Sequence, residues 1–225
     1  MVLASSSPST FSAGLDLTEL YQGGNSNKNN EPPQRLIDFW TSFQQLYLDL
    51  YGTRLATVAA IQGHAPAAGC MLALACDYRM MESNPKIKSK IGLNEAQFGI
   101  AAPPFLGKLL LRTIGQVKGE QALALGTLFN PNDALAVGLV DRVVQADQSD
   151  SSEEDLLNEA KQTAKLWAKM PPPARVASKM LARKEFLDEL ISTREVDLNH
   201  FCSFVLQDNI QAGLGAYLAS LRKKQ

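Results

Sequence analysis

Between Thr57 and Gly99 the chain carries an apolar β-branched run, a turn made of small residues and a second apolar run, in that order. Thr57 to Ile61, closed by Gly63, predicts a buried strand. Ala65-Pro66-Ala67-Ala68-Gly69 follows, then Cys70 to Cys76, a segment too short and too uniformly hydrophobic for a surface helix. Asp77 to Met81 and Ile91 to Asn94 predict two further strand pieces, and Glu95 stands where the second runs out. Side chains this small let a ligand oxygen come close to the backbone. Free N–H groups at a helix N-terminus point at such an oxygen, and the aligned peptide dipoles favour negative charge there. An acid at the end of a neighbouring strand then reaches the atom beside a polarised carbonyl.

Around this stretch the chain divides by pattern. Met1 to Ala4 reads as a strand end, and Asp16 and Thr18 as caps for a short helix from Leu17 to Tyr21. Gln22 to Pro33 is a Gly/Asn/Pro-rich loop, and the apolar spacing from Leu36 to Tyr51 predicts an amphipathic helix. Helices are expected over Leu106–Ile114 and Lys118–Leu125 and after Asn130-Pro131, with a strand over Leu139–Val144. Gln145 to Glu154 reads as an acidic, Ser-rich linker. Beyond it only helices are expected, over 153–170, 174–186, 187–206 and 211–221. The domains expected are thus a core over 1–145 and a helical region over 153–225.

With 225 residues, 45% of them hydrophobic, the chain can bury a substantial core. A net charge of −1 points away from nucleic acid or an anionic membrane surface as the main partner. Three cysteines, two in an apolar run, read as free buried thiols rather than a disulfide framework. No apolar run approaches the roughly 20 residues that span a bilayer. The N-terminus shows neither a signal-peptide nor a transit-peptide pattern.

Three motifs, FSAGLDL (Phe11 to Leu17), GHAPAAGCMLALACDYR (Gly63 to Arg79) and GLNEAQFGI (Gly92 to Ile100), together resemble the crotonase, or enoyl-CoA hydratase/isomerase, superfamily. The likeness is strongest to its mitochondrial Δ3,Δ2-enoyl-CoA isomerase branch. It implies an α/β fold: a spiral core of ββα units followed by an all-helical C-terminal region that drives assembly into trimers. Such proteins have about one more unit ahead of FSAGLDL, so the chain reads as N-terminally short. The resemblance implies an acyl-CoA substrate and no separate cofactor, because CoA arrives with the substrate. It also implies a mitochondrial matrix location, with peroxisome and cytoplasm as alternatives. No metal site is expected.

By the same resemblance Glu95 is the acid-base residue, and the backbone N–H groups of Leu15 and Ala68 form an oxyanion hole. Ala13, Gly14, Leu15, Asp16, Leu17 and Ala68 are the expected substrate contacts. The family usually has glycine where this chain has Ala67 or Ala68; alanine keeps the N–H but restricts φ. Hydratases of the superfamily carry a second glutamate where this chain has Met71, so one carboxylate is left. One suffices to move a proton from C2 to C4 of a 3-enoyl-CoA, whereas water addition lacks its second group. The expected activity is therefore isomerisation of unsaturated acyl-CoAs in β-oxidation. The competing reading is a non-catalytic acyl-CoA-binding or assembly subunit, and a hydratase is disfavoured. His64 lacks a ligand or base partner at suitable spacing, and His200 reads as a surface or interface residue. Asp77 reads as a turn-fixing residue, and Lys86, Lys88 and Lys90 as a solvated basic loop. Exposed apolar residues for assembly are expected at Leu187, Leu190, Ile191, Phe201, Phe204 and Val205.

Overall fold

The computed structural model describes residues 1–23, 31–146 and 152–222. Strands β1 (Val2–Leu3), β2 (Val58–Ile61), β4 (Tyr78–Ser83) and β6 (Arg142–Gln145) form one parallel sheet, in the order β1-β2-β4-β6. Strands β3 (Ala65–Pro66) and β5 (Ile91–Gly92) pair separately, also in parallel. Every residue of β2 is buried, as expected where helices cover both faces of a parallel sheet. Side chains alternate along each strand. Ala59, Ile61 and Met81 therefore pack into the main core with helices α2 (Gln34–Gly52), α3 (Ala68–Ala75) and α4 (Pro104–Ile114). Val58, Ala60, Met80 and Val144 meet Leu156, Ala160 and Ala164 of helix α7 (Ser152–Ala168) on the other face.

The remaining helices are α1 (Leu17–Leu20), α5 (Gln116–Leu125), α6 (Pro131–Ala136), α8 (Pro172–Val205) and α9 (Asp208–Arg222). The stripe Leu36, Trp40, Phe43, Tyr47 and Leu50 on α2 is buried. Helix α8 returns across α2, and Phe201 stacks on Trp40 with ring centres 3.5 Å apart and planes 8° from parallel. Helix α9 lies against α1, held by Gln211, whose Nε2 donates to Leu20 O (2.9 Å) and Val205 O (2.8 Å).

Several expected boundaries move. The two helices expected over 174–206 are one helix, because no glycine or proline interrupts that span. Strand β6 starts at Arg142, not Leu139: the Leu139 and Val140 amides bond Ala134 O, at the end of α6, and not the sheet. Strand β5 stops at Gly92, so Glu95 opens a 3₁₀ helix, Glu95–Phe98, rather than ending a strand. Gln145 belongs to β6, and the rest of the expected linker falls partly at 147–151, outside the described residues. So does most of the Gly/Asn-rich loop, at 24–30. Leu187, Leu190 and Val205 are buried against their own chain and Phe201 and Phe204 are half-buried, leaving Ile191 exposed at 57%. The apolar surface expected to serve assembly is thus mostly consumed within the chain.

Asp77 does more than fix a turn. Its N–H donates to Thr57 Oγ1 and its Oδ2 accepts the Thr57 N–H, both at 2.8 Å. Its carboxylate also meets Lys179 and Arg183 of α8, each 2.9 Å from Oδ1, and all three side chains are nearly solvent-free. Arg183 donates onward to Tyr51 O, Ala75 O and Cys76 O, covering the C-terminal ends of α2 and α3. Burial holds the Lys179 and Arg183 pKa values below their ordinary ones, against the pull of Asp77. Removing one partner of a buried ion pair costs about 3–5 kcal/mol, because a charge is left uncompensated. Asp77→Asn is therefore expected to lower the unfolding free energy by about that amount in urea denaturation. A loss under about 1 kcal/mol, the range of surface pairs, would contradict the role given to this network.

Candidate active site

His64 holds the FSAGLDL loop in place through its backbone. Its carbonyl accepts the N–H groups of Phe11 (2.9 Å) and Ser12 (3.3 Å), and its own N–H donates to Ser9 O (2.9 Å). The loop is thereby laid along the strand-turn-helix segment. A Cβ at Gly63 would lie 2.0 Å from the Ser9 carbonyl carbon, and one at Gly69 would lie 2.5 Å from Ser12 O. Only glycine admits this approach at both positions. Gly14 then sits at the mouth of α3. The place its own Cβ would occupy is 3.4 Å from Ala67 Cβ and 3.7 Å from Ala68 N.

Ala67 makes the turn into the helix at φ +50°, ψ −121°. A side chain held in so sparsely populated a region costs on the order of 1–3 kcal/mol. Two bonds fix it there: its N–H donates to Gly92 O (2.8 Å), and its carbonyl accepts the Met71 N–H (3.1 Å). The next amide, Ala68 N–H, is left without an acceptor among the described residues, and so is Leu15 N–H, just past Gly14. The two lie on facing segments of the loop and helix start.

Glu95 completes the group. Its Oε2 is enclosed and has no hydrogen-bond partner among the described residues. Burial pushes its carboxyl up to about 7, with its own backbone N–H pulling weakly the other way. Burial, and then the charge of Glu95, raises the thiol pKa of Cys70.

Leu15, Ala68 and Glu95 line one cavity of about 650 Å³, together with Ala13, Asn94, Leu17, Leu20, Trp40, Phe201, Phe204 and Leu214. Phe98 and Tyr217, also in its wall, meet edge-on with ring centres 5.1 Å apart. Of the residues expected to contact a ligand, Ala13, Leu15, Leu17, Ala68 and Glu95 are brought together here, and Gly14 stands behind them. Asp16 is not in the lining. Its carboxylate caps α1, accepting from Thr18 Oγ1 (2.6 Å) and Thr18 N (2.9 Å), and those bonds lower its pKa. His200, read as a surface or interface residue, is exposed and also stands at the edge of the cavity wall. Met71 is fully buried in the core and is not in that wall. Sequence reasoning missed Trp40, Phe201, Phe204, Tyr217 and Asn94. Phe201 and Phe204 do share a face of α8, but nothing in the pattern says that α8 folds back over α2. Among the described residues no group of three or more His, Cys, Asp or Glu side chains is placed to hold a metal ion. No described helix is long and apolar enough to cross a membrane.

A carboxyl group whose folded pKa is raised favours folding while it is protonated. That stability is fully present below the ordinary value of 4.5 and is lost as pH rises through about 7. Glu95→Gln keeps the neutral shape at every pH. The variant is thus expected to match the parent at pH 4 and to be the more stable of the two at pH 8, in thermal melts across that range. Parallel stability curves from pH 4 to pH 8 would show that Glu95 is not titrating in a buried setting.

The α/β fold thus sets two amides without acceptors among the described residues and one enclosed carboxyl around an apolar cavity. The sequence pattern of the enoyl-CoA hydratase/isomerase family matches residues 1–224, and the chain belongs to that family. It is 42% identical over 225 residues to the protein named enoyl-CoA delta isomerase 1, mitochondrial, of Mus musculus, covering all of this chain and 72% of that one. The solved structure of human mitochondrial delta3-delta2-enoyl-CoA isomerase superposes with a TM-score of 0.88 at 40% identity, over 100% of this chain and 80% of the other. That of an enoyl-CoA hydratase from Bacillus halodurans gives a TM-score of 0.79 at 25% identity, over 96% and 80%.

Proposed function

We propose that the protein is a Δ3,Δ2-enoyl-CoA isomerase, moving the double bond of a 3-enoyl-CoA to the 2-trans position. The observation that carries this reading is the meeting of Glu95 with the free Leu15 and Ala68 amides in one apolar cavity, with Met71 outside its wall. The two amides hold the thioester oxygen. Glu95 takes a proton from C2, and the electron pair spreads over the thioester and the C3–C4 double bond as a dienolate. The same carboxyl then delivers the proton to C4, so that C2=C3 forms as C3=C4 is lost. No hydrogen or electron is gained overall. An acid-base group works best with a pKa near the working pH, and the apolar walls that raise Glu95 to about 7 meet that need. The same walls suit a fatty acyl chain. Water addition calls for a second carboxylate, and the position that would supply it holds Met71.

CoA comes with the substrate, so the reading requires no further cofactor. The names of the relatives support a mitochondrial location, and the reaction itself suits the oxidation of unsaturated fatty acids. Assembly into homotrimers belongs to the same reading by family resemblance.

Incubation with 3-hexenoyl-CoA, followed by the absorbance of the conjugated product, is expected to show turnover by the parent protein. Glu95→Gln should lower that rate by at least about 100-fold, with acyl-CoA binding nearly unchanged. Substantial activity in the variant would move the proton transfer to another group. A parent that binds acyl-CoA without turning it over would favour the non-catalytic reading.

A further inference from the structure

Asn94 occupies the cap position of the 3₁₀ helix that begins at Glu95, where an asparagine side chain ordinarily accepts a backbone N–H. Here it makes no such bond. Only its backbone carbonyl is engaged, by the Gln97 N–H at 3.1 Å. The residue is 8% exposed and lines the main cavity, and its side-chain amide has no partner among the described residues. Unlike Glu95 Oε2, this amide is not sealed in protein: it opens onto the cavity and is free to bond what enters there.

An acyl chain offers no hydrogen-bonding atom along its carbons. The polar atom of the substrate that must lie in this part of the wall is the thioester oxygen, next to Leu15 and Ala68. Glu95, the neighbour of Asn94 in sequence, has to reach C2, which is one bond from the carbonyl carbon. Asn94 shares one cavity wall with Glu95, Leu15 and Ala68, the groups that meet that oxygen and C2. Resting on the isomerase reading, we infer that Asn94 is a third hydrogen-bond donor to the thioester oxygen, its Nδ2–H strengthening the hold as the enolate forms. Two backbone amides and one side-chain amide then share the developing charge. The bond goes with the charge on the oxygen, so it favours the transition state over the bound substrate.

The test uses Asn94→Leu, close in size and unable to hydrogen-bond. On 3-hexenoyl-CoA its kcat should fall at least about 10-fold while KM changes by less than about threefold. Its thermal midpoint should be equal to or above the parent's, because the lost amide had no partner in the folded chain. A second measurement needs no turnover. Acetoacetyl-CoA, whose enolate absorbs in the near ultraviolet, should show that absorbance on the parent and much less of it on Asn94→Leu, while butyryl-CoA binds both alike. Parent-like kcat with a parent-like enolate signal in the variant would overturn the inference. A midpoint lowered by several degrees would also overturn it, by making Asn94 a structural residue. An inactive parent would count against the isomerase reading alone, since the enolate comparison still decides the role of Asn94.

Discussion

The site depends on one close contact between backbones. The loop that carries Leu15 lies against the chain around Gly63 and Gly69 at distances where a single Cβ would collide with it. Hydrogen bonds through the His64 peptide hold the two segments together. Helix α3 is fixed at both ends, by the Ala67 N–H on Gly92 O at its start and by Arg183 on the Ala75 and Cys76 carbonyls at its finish. Nearly all of its residues are buried. A helix held this way cannot shift to relieve the strain at Ala67. Its first amide is thus kept beside that of Leu15 before any ligand arrives, the preorganisation that the proposed oxyanion role requires.

The acid follows from the same packing. The apolar wall that shapes the cavity also deprives the Glu95 carboxylate of water, which raises its pKa toward neutrality. In water the group would be a weaker base. The same burial makes the fold less stable as pH rises through about 7. Helices α8 and α9 close the cavity from outside: α8 brings Phe201 against Trp40, and α9 brings Tyr217 against Phe98.

Local chemistry was legible in the sequence, and long-range geometry was not. The apolar strand, the small-residue turn and a buried run over Cys70–Cys76 could be read from the sequence, because burial on both faces writes a continuous apolar run, although the helix itself is Ala68–Ala75. Asp16 was legible as a cap for the same local reason, yet its place among ligand contacts was not, since capping turns the carboxylate away from the cavity. The pairing of Asp77 with Lys179 and Arg183 spans about a hundred residues, and no periodicity marks it. The fold-back of α8 decides whether Phe201 and Phe204 face solvent, a partner or a ligand. Their spacing alone is the same in all three cases. Asn94 was hidden because Ile91 to Asn94 reads as a strand piece, and only the folded chain sets it ahead of a 3₁₀ helix with its side chain making no cap bond.

The central claim is that a single carboxylate carries one proton from C2 to C4. It is tested most directly with 3-hexenoyl-CoA deuterated at C2, with the product examined by NMR after a single turnover in ordinary water. The account predicts deuterium at C4 of the 2-trans product, above the level left by exchange with solvent. Product without deuterium at C4, its one new C4 hydrogen coming from water, or a 3-hydroxyacyl-CoA as the main product, would contradict it.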